Sequence, residues 1–257
     1  MPLKFHLLPR SIAQLALSLG LLGLLFGCAA PTPKPDSGGV MPSSLVDWSA
    51  RELPGKQKTH YAFARRAGRD CVLAKAVQSV SLWRRPLKIA PEQVEALQFD
   101  WWIHQLEVRA TVAEADTDDA PARLLLGFDG DSSKLSLRNR MQFELVETLT
   151  GEAPPFATLM YVWDANAAPE TVIISSRSDR IRKIVVGSGK QGMGSWQRLR
   201  RDIRADFQKA FGEAPGTLTS MAMMTDGDNT GSRAEACYGS ILLLDSMQQT
   251  LGGSLQL

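Results

Sequence analysis

The side chains able to do chemistry are few. Of three histidines one, His6, lies in an N-terminal leader, which leaves His60 and His104. No C-x-x-C or H-E-x-x-H occurs, so a zinc site with three or four His, Cys and carboxylate ligands is hard to assemble. No G-x-S-x-G occurs either, and a Ser or Cys nucleophile would have only two imidazoles to draw on. The richest oxygen donor set is the loop Asp226, Gly227, Asp228, Asn229, Thr230, Gly231. Calcium takes six to eight oxygens, and this loop offers three or four. Against EF-hand spacing it fails, because Cys237 stands where a bidentate Glu is needed. The expectation is a hairpin turn whose Asp and Asn bond their own backbone, with calcium through Asp226, Asp228, Asn229 and Thr230 as the alternative and no other cofactor.

Asp118 and Asp119 precede Arg123 at the mouth of a strand. Acid/base work on a glycoside needs carboxyls about 5 to 9.5 Å apart across a substrate, which neighbours on a turn rarely reach, so an Asp paired with Arg123 is expected. Residues 187–192 match G-x-G-x-x-G after a candidate strand. A dinucleotide site would also need that loop to open a helix inside a parallel βαβ unit, and Gly194 sits where the first helical turn would be. No nucleotide is expected. The strand 97–108 is more informative. Leu97, Phe99, Trp101 and Ile103 share one parity, leaving Asp100, Trp102 and His104 on the other face. An indole beside a carboxylate and an imidazole suits a sugar, whose C–H groups pack on the ring while polar neighbours take hydroxyls. Trp163 and Asp164 are expected to join that set, and the competing reading buries Trp102 beneath a loop.

Composition fits this picture. The chain has 257 residues, 44% hydrophobic and 22% charged, which excludes disorder, collagen and a polytopic membrane protein. Lys4 and Arg10 precede an uncharged apolar run over 12–26, the layout of a secretory signal and too short for a spanning helix. Without that leader the chain carries 27 basic and 27 acidic residues, so nothing in the charge calls for nucleic acid. The run ends Leu25, Phe26, Gly27, Cys28, Ala29, which resembles the lipobox of bacterial lipoproteins. Residues 1–27 are therefore expected to be removed and Cys28 lipidated, with Ala29 pointing to the outer membrane by analogy. The Pro, Gly and Ser-rich stretch 28–44 then reads as a tether of up to ~50 Å, at about 3.1 Å per residue. In that oxidising compartment Cys71 and Cys237 are either a disulfide or two buried thiols.

Residues 45–257 read as one domain. Candidate strands are 59–65, 71–77, 80–89, 97–108, 123–128, 158–163, 171–175, 181–186, 218–224 and 237–244. Ten short strands with few helices predict an all-β antiparallel sandwich carrying one or two short helices. Leu137, Met141, Leu145 and Leu149 form an apolar stripe that predicts a helix over 137–148. Trp196, Leu199, Ile203, Phe207 and Phe211 follow helical spacing as far as Gly212, and periodicity alone would make this one long helix. The strand 97–108 changes its apolar parity near His104, which demands a bulge or two covered faces.

Several segments together resemble the exported bacterial proteins called domain of unknown function 3047: FDWWIHQLEV (99–108), DDAPARLLLGF (118–128), LMYVWDA (159–165), VVGSG (185–189), WQRLRRDIRADFQKAFGEAP (196–215) and MTDGDNTGSRAEACYGSILLL (224–244). Asp202 stands where the resemblance leads one to expect Asn. The last third is similar to jelly-roll carbohydrate-binding modules of galactose-binding-like fold. That resemblance implies a strand over 196–201 and a short helix over 203–211, and this replaces the single long helix. The combined expectation is a lipid-anchored, periplasm-facing, non-catalytic sandwich that binds envelope or extracellular glycan. The alternatives are an assembly protein that binds another envelope protein and, more remotely, a carboxylate-based hydrolase.

Overall fold

The computed structural model describes residues 43–257. The leader, Cys28 and the tether as far as residue 42 lie outside the described residues. Strand formation follows the alternation of apolar and polar side chains. In chain order come β1 (Ser49–Glu52), β2 (His60–Arg66), β3 (Arg69–Val77), β4 (Ser81–Ile89), β5 (Ala96–Gln105), β6 (Arg123–Phe128), α1 (Leu137–Thr150), β7 (Ala157–Asp164), β8 (Val172–Ile174), β9 (Ile181–Ser188), β10 (Trp196–Arg201), α2 (Ile203–Phe211), β11 (Leu218–Met224) and β12 (Arg233–Leu244). Seven strands form one sheet in the order β1-β4-β11-β6-β7-β9-β8, and five form the other in the order β10-β5-β12-β3-β2. The result is the expected all-β sandwich, with one departure from antiparallel pairing. β9 returns between β7 and β8, so it runs parallel to β7 and antiparallel to β8.

The main core lies between the sheets. Leu97, Phe99, Trp101 and Ile103 of β5 meet Leu124 and Leu126 of β6, Tyr161 and Trp163 of β7, and Tyr238 of β12. Phe99 stacks on Tyr161 with ring centres 5.8 Å apart. A second cluster (Leu125, Met160, Val162, Val185, Met224) covers the outer face of the seven-stranded sheet, roofed by Val112 and Ala120 of the β5–β6 connection. All six residues of β6 are therefore buried, which explains why the sequence after Arg123 is a continuous apolar run. The parity change near His104 marks a real irregularity. Glu235 pairs with Gln105 but Ala236 with Ile103, leaving His104 as the extra residue, and β5 then ends at Gln105.

The break between β10 and α2 sits at Asp202, whose side chain accepts from Ala205 N and caps the helix. An acidic cap serves there as an Asn would. α2 turns Ile203, Phe207 and Ala210 inward, and Phe207 packs on Phe128 at 4.8 Å. Arg201 grips Asp206 at 2.8 and 2.7 Å, and Asp206 also accepts from the Tyr161 hydroxyl. α1 forms where the spacing predicts, with Ser136 as its N-cap and Gly151 (φ 73°) closing it in the left-handed conformation. Its apolar stripe, however, does not enter the core. The helix is held by its other side: the buried Asn139 donates to Asp179 (2.5 Å) and accepts from Ser178 (2.9 Å).

Cys71 and Cys237 are joined by a disulfide between β3 and β12. Among the described residues no helix is long and apolar enough to cross a membrane.

Candidate functional site

Trp102 and His104 occupy the outer face of the five-stranded sheet, with Asp100 beside them. Opposite Trp102 in the register stands Trp196 of β10, and the two indoles meet edge to face at 6.1 Å. Trp196 lies flat over Gly239, where a Cβ would come within 3.2 Å of its ring. Its Nε1 donates to Arg66 O at 3.1 Å, and the Arg69 guanidinium covers its other side at 4.5 Å. Trp196 is therefore a clamp, and both it and Trp102 are half-buried on this face. The Trp102 Nε1 is buried without a hydrogen-bond partner. With Nε1 covered, the indole does not offer its one polar ring atom to water. His104 beside it is exposed. Asp100 is buried and accepts from Arg69 (2.8 Å) and bidentately from Arg198 (2.9 and 3.3 Å). Its charge is already matched, so it positions two arginines at the rim.

Trp163 and Asp164 do not join this set. Trp163 is 2% exposed and sits in the core, against Trp101 at 6.5 Å and over Gly187, where a Cβ would come within 2.4 Å of the ring. Asp164 is 1% exposed and accepts from Val112 N, Asn166 N and Ala167 N at 2.6 to 2.7 Å. It ties two loops together and has no surface to offer a ligand. Along β7 both parities are apolar, so alternation could not separate an inward from an outward tryptophan.

The loop after β11 is not a hairpin turn, because β11 belongs to the seven-stranded sheet and β12 to the five-stranded one. It crosses between sheets and closes through Ser232 N to Gly227 O at 2.8 Å. A network of buried charges fills this end of the sandwich. Arg123, 2% exposed, donates bidentately to Asp226 at 2.9 Å and reaches Asp118 at 2.9 Å. Lys183 donates to Asp118 (2.6 Å) and to Val112 O (2.7 Å). The expected Asp–Arg123 pair is thus present, but buried. Burial opposes ionisation of Asp118, yet Arg123 and Lys183 outweigh it and hold the carboxyl below its usual range. Asp226 is pushed up by burial and by the neighbouring Asp119 charge, against the pull of Arg123. Opening such a pair by removing one partner costs ~3–5 kcal/mol.

Asp119, Asp226 and Asp228 bring carboxylate oxygens within 4.8 Å of one another. As a cation site they fit in part. Thr230 drops out of the expected set because its hydroxyl donates to Asp119 at 2.6 Å, beside the amides of Thr230 and Asn229. Asp228 is bound by Lys56 at 2.6 Å. Asn229 Oδ1 is buried with no hydrogen-bond partner. Asp119, the member that joins this loop from more than 100 residues away, carried no local spacing that would reveal it.

The loop 187–192 leads into strand β10 and opens no helix, so the dinucleotide geometry is missing. A cavity of about 600 Å³ lies between α1 and the sheet end, lined among others by Arg84, Arg140, Phe143, Glu144, Glu147 and Phe156. Glu144 and Glu147 sit one turn apart on the same helix face, and the facing Glu152 is paired with Arg84 and Arg51. Asp129 also lines the cleft and accepts from Thr217 N at 2.5 Å.

No curated protein matches the chain. Among solved structures, the enzymatically active domain of bacteriophage CBA120 tailspike protein 4 is 7% identical with a TM-score of 0.34, covering 76% of this chain and 18% of that one. The family 11 carbohydrate-binding module of Clostridium thermocellum, solved with a β-1,3-1,4-mixed-linked tetrasaccharide, is 9% identical with a TM-score of 0.33, covering 81% of this chain and 91% of that one. Sequence similarity is more decisive, because the profile of the family described as protein of unknown function DUF3047 matches residues 46–242, most of the described domain, and the chain belongs to that family.

Proposed function

We propose that the protein is an exported lipoprotein of the cell envelope whose sandwich binds glycan without cleaving it. In this reading residues 1–27 are removed, Cys28 is acylated, the stretch to residue 42 is a tether that ends where Ser44 donates to Gln256 O at 2.7 Å, and the domain faces the periplasm from the outer membrane. Two or more acyl chains make such anchoring stable. The observation that carries the binding reading is Trp102: a half-buried indole, its Nε1 covered, held rigid edge-on by Trp196. Sugar C–H faces pack on such a ring, and the exposed His104 and the Arg198 and Arg69 guanidinium groups supply donors for hydroxyl or acidic substituents.

A glycan array probed with the protein is expected to show binding that Trp102→Ala abolishes while Lys88→Ala leaves it intact. Binding indifferent to Trp102→Ala, or none, overturns the assignment. The carboxylate network is proposed as structural. Calcium and chelator are each expected to leave Tm unchanged, and a fall in Tm on chelation would make Asp119, Asp226 and Asp228 metal ligands instead. Cys28→Ser is expected to release the protein from membranes.

A further inference from the structure

Half of the large apolar side chains that stand open to water among the described residues are on one element. Leu137, Met141, Leu145 and Leu149 of α1 are 58 to 70% exposed, with Val146 at 39%. Spacing of four keeps the first group on one slowly turning band. The opposite side of the helix is spent on Asn139, which is bonded to the β8–β9 turn, and on Phe143 and Glu147, which line the cleft, while the exposed Glu144, seven residues on from Leu137, stands at the edge of the band. Ile174 of β8, 55% exposed, continues the band where Arg138 reaches Ser176 O at 3.4 Å. Lys134, Arg138 and Arg177 surround this end of the helix. All three are exposed, and none makes a salt bridge among the described residues. An apolar band with unpaired cations around its N-terminal end, and with the acidic Glu144 and Glu147 toward its cleft side, fits a helix lying in an anionic lipid interface.

The proposed anchor keeps one such surface close at hand. β1 joins the domain beside the C-terminal end of α1, where Arg51 lies 3.5 Å from Glu152. The eight steps from Ser43 to Arg51 span at most ~27 Å, and α1 itself is ~21 Å long. The proposed tether from Cys28 to Ser43 would, if fully extended, reach up to ~50 Å. A bilayer holding acyl chains on Cys28 therefore lies within reach of the whole helix. A soluble partner has no such standing proximity.

We infer that α1 lies on the leaflet that holds Cys28, with Leu137, Met141, Leu145 and Leu149 among the upper acyl chains and Lys134, Arg138 and Arg177 at the headgroups. The inference rests on the proposed lipid anchor. It also sets orientation: α1 flanks the seven-stranded sheet, so the Trp102 face of the other sheet points away from the bilayer.

The test uses full-length acylated protein carrying Leu145→Cys, labelled with an environment-sensitive fluorophore, on vesicles of phosphatidylethanolamine and phosphatidylglycerol. Arg200→Cys on β10 is the control, and the mass of the purified protein reports acylation of Cys28. The label at 145 is expected to shift to the blue and to be quenched by acyl-brominated lipid several-fold more than the label at 200. Adding Met141→Asp and Leu149→Asp should abolish that difference. If Cys28 is acylated and the label at 145 stays in a water-like environment, this inference falls while the anchor stands. A blue-shifted label that brominated lipid does not quench means that protein covers the band, which also overturns it. An unmodified Cys28 removes the anchor, and the inference with it.

Discussion

The two helices are built from the same kind of sequence and do opposite things. α2 packs Ile203 and Phe207 into the sandwich, whereas α1 shows its leucines to water and is attached through one buried residue, Asn139. An amphipathic pattern therefore specifies that a helix has an apolar side, and the surroundings decide what that side meets. Phe207 finds Phe128 and Phe211 waiting, while beneath α1 the sheet end carries a cleft.

The contrast is broken most directly by truncating each helix's apolar side. Phe207→Ala is expected to cost ~3–5 kcal/mol in denaturant unfolding through the cavity it leaves. Met141→Ala should stay within ~0.5 kcal/mol in the same experiment, as for any surface site. Equal losses would mean that the α1 band is packed in solution. The attachment of α1 is tested next. Asn139→Ala strands Asp179 and Ser178 and is expected to weaken local protection by ~1–3 kcal/mol, read as faster amide exchange confined to α1.

Caps should separate the helices more finely. Asp202→Ala is expected to lower global stability by ~1 kcal/mol. Ser136→Ala removes the same bond from a helix the core does not depend on, and its effect should appear in the exchange of α1 amides and not in the global midpoint. The smallest effect is electrostatic. Hydrogen bonds from Arg201 of β10 and Lys209 of α2 hold the Glu170 carboxyl down to about 2 from 4.5. The folded pKa is depressed, so this stabilisation is fully present above pH 4.5 and is lost as pH falls from there toward 2. Glu170 is half exposed, and screening keeps the contribution below ~1 kcal/mol. Tm profiles of wild type and Glu170→Gln should converge in that window.

Local pattern made most of the fold legible. The alternation in LQFDWWI assigned Trp101 inward and Trp102 outward, and ten of twelve strands stood out as short apolar runs. β1 did not, because SARE has no apolar alternation and its four residues are exposed at a sheet edge. β10 hid inside a helical period, since Trp196, Leu199 and Ile203 fit the spacing of a helix and not the alternation of a strand, and only Asp202 divides them. The candidate site was legible only where one strand carries it. Trp102 and His104 emerged together. Trp196, Arg69 and Gly239 come from three other strands, and only the register brings them there. Asp119 likewise reaches Thr230 across 111 residues, a distance over which spacing carries no information. Asp226 and Arg123 were each noticed, but for separate roles, because nothing local shows that they are partners.

The bond between Cys71 and Cys237 joins positions 166 apart and closes a ring that holds both α1 and α2. The start of the last strand must be in place before the ring can shut, so an oxidised molecule certifies that β3 and β12 have met. Once shut, a protease that clips the outlying helix changes the chain count without changing the particle. The two pieces would travel together until a reductant parts them.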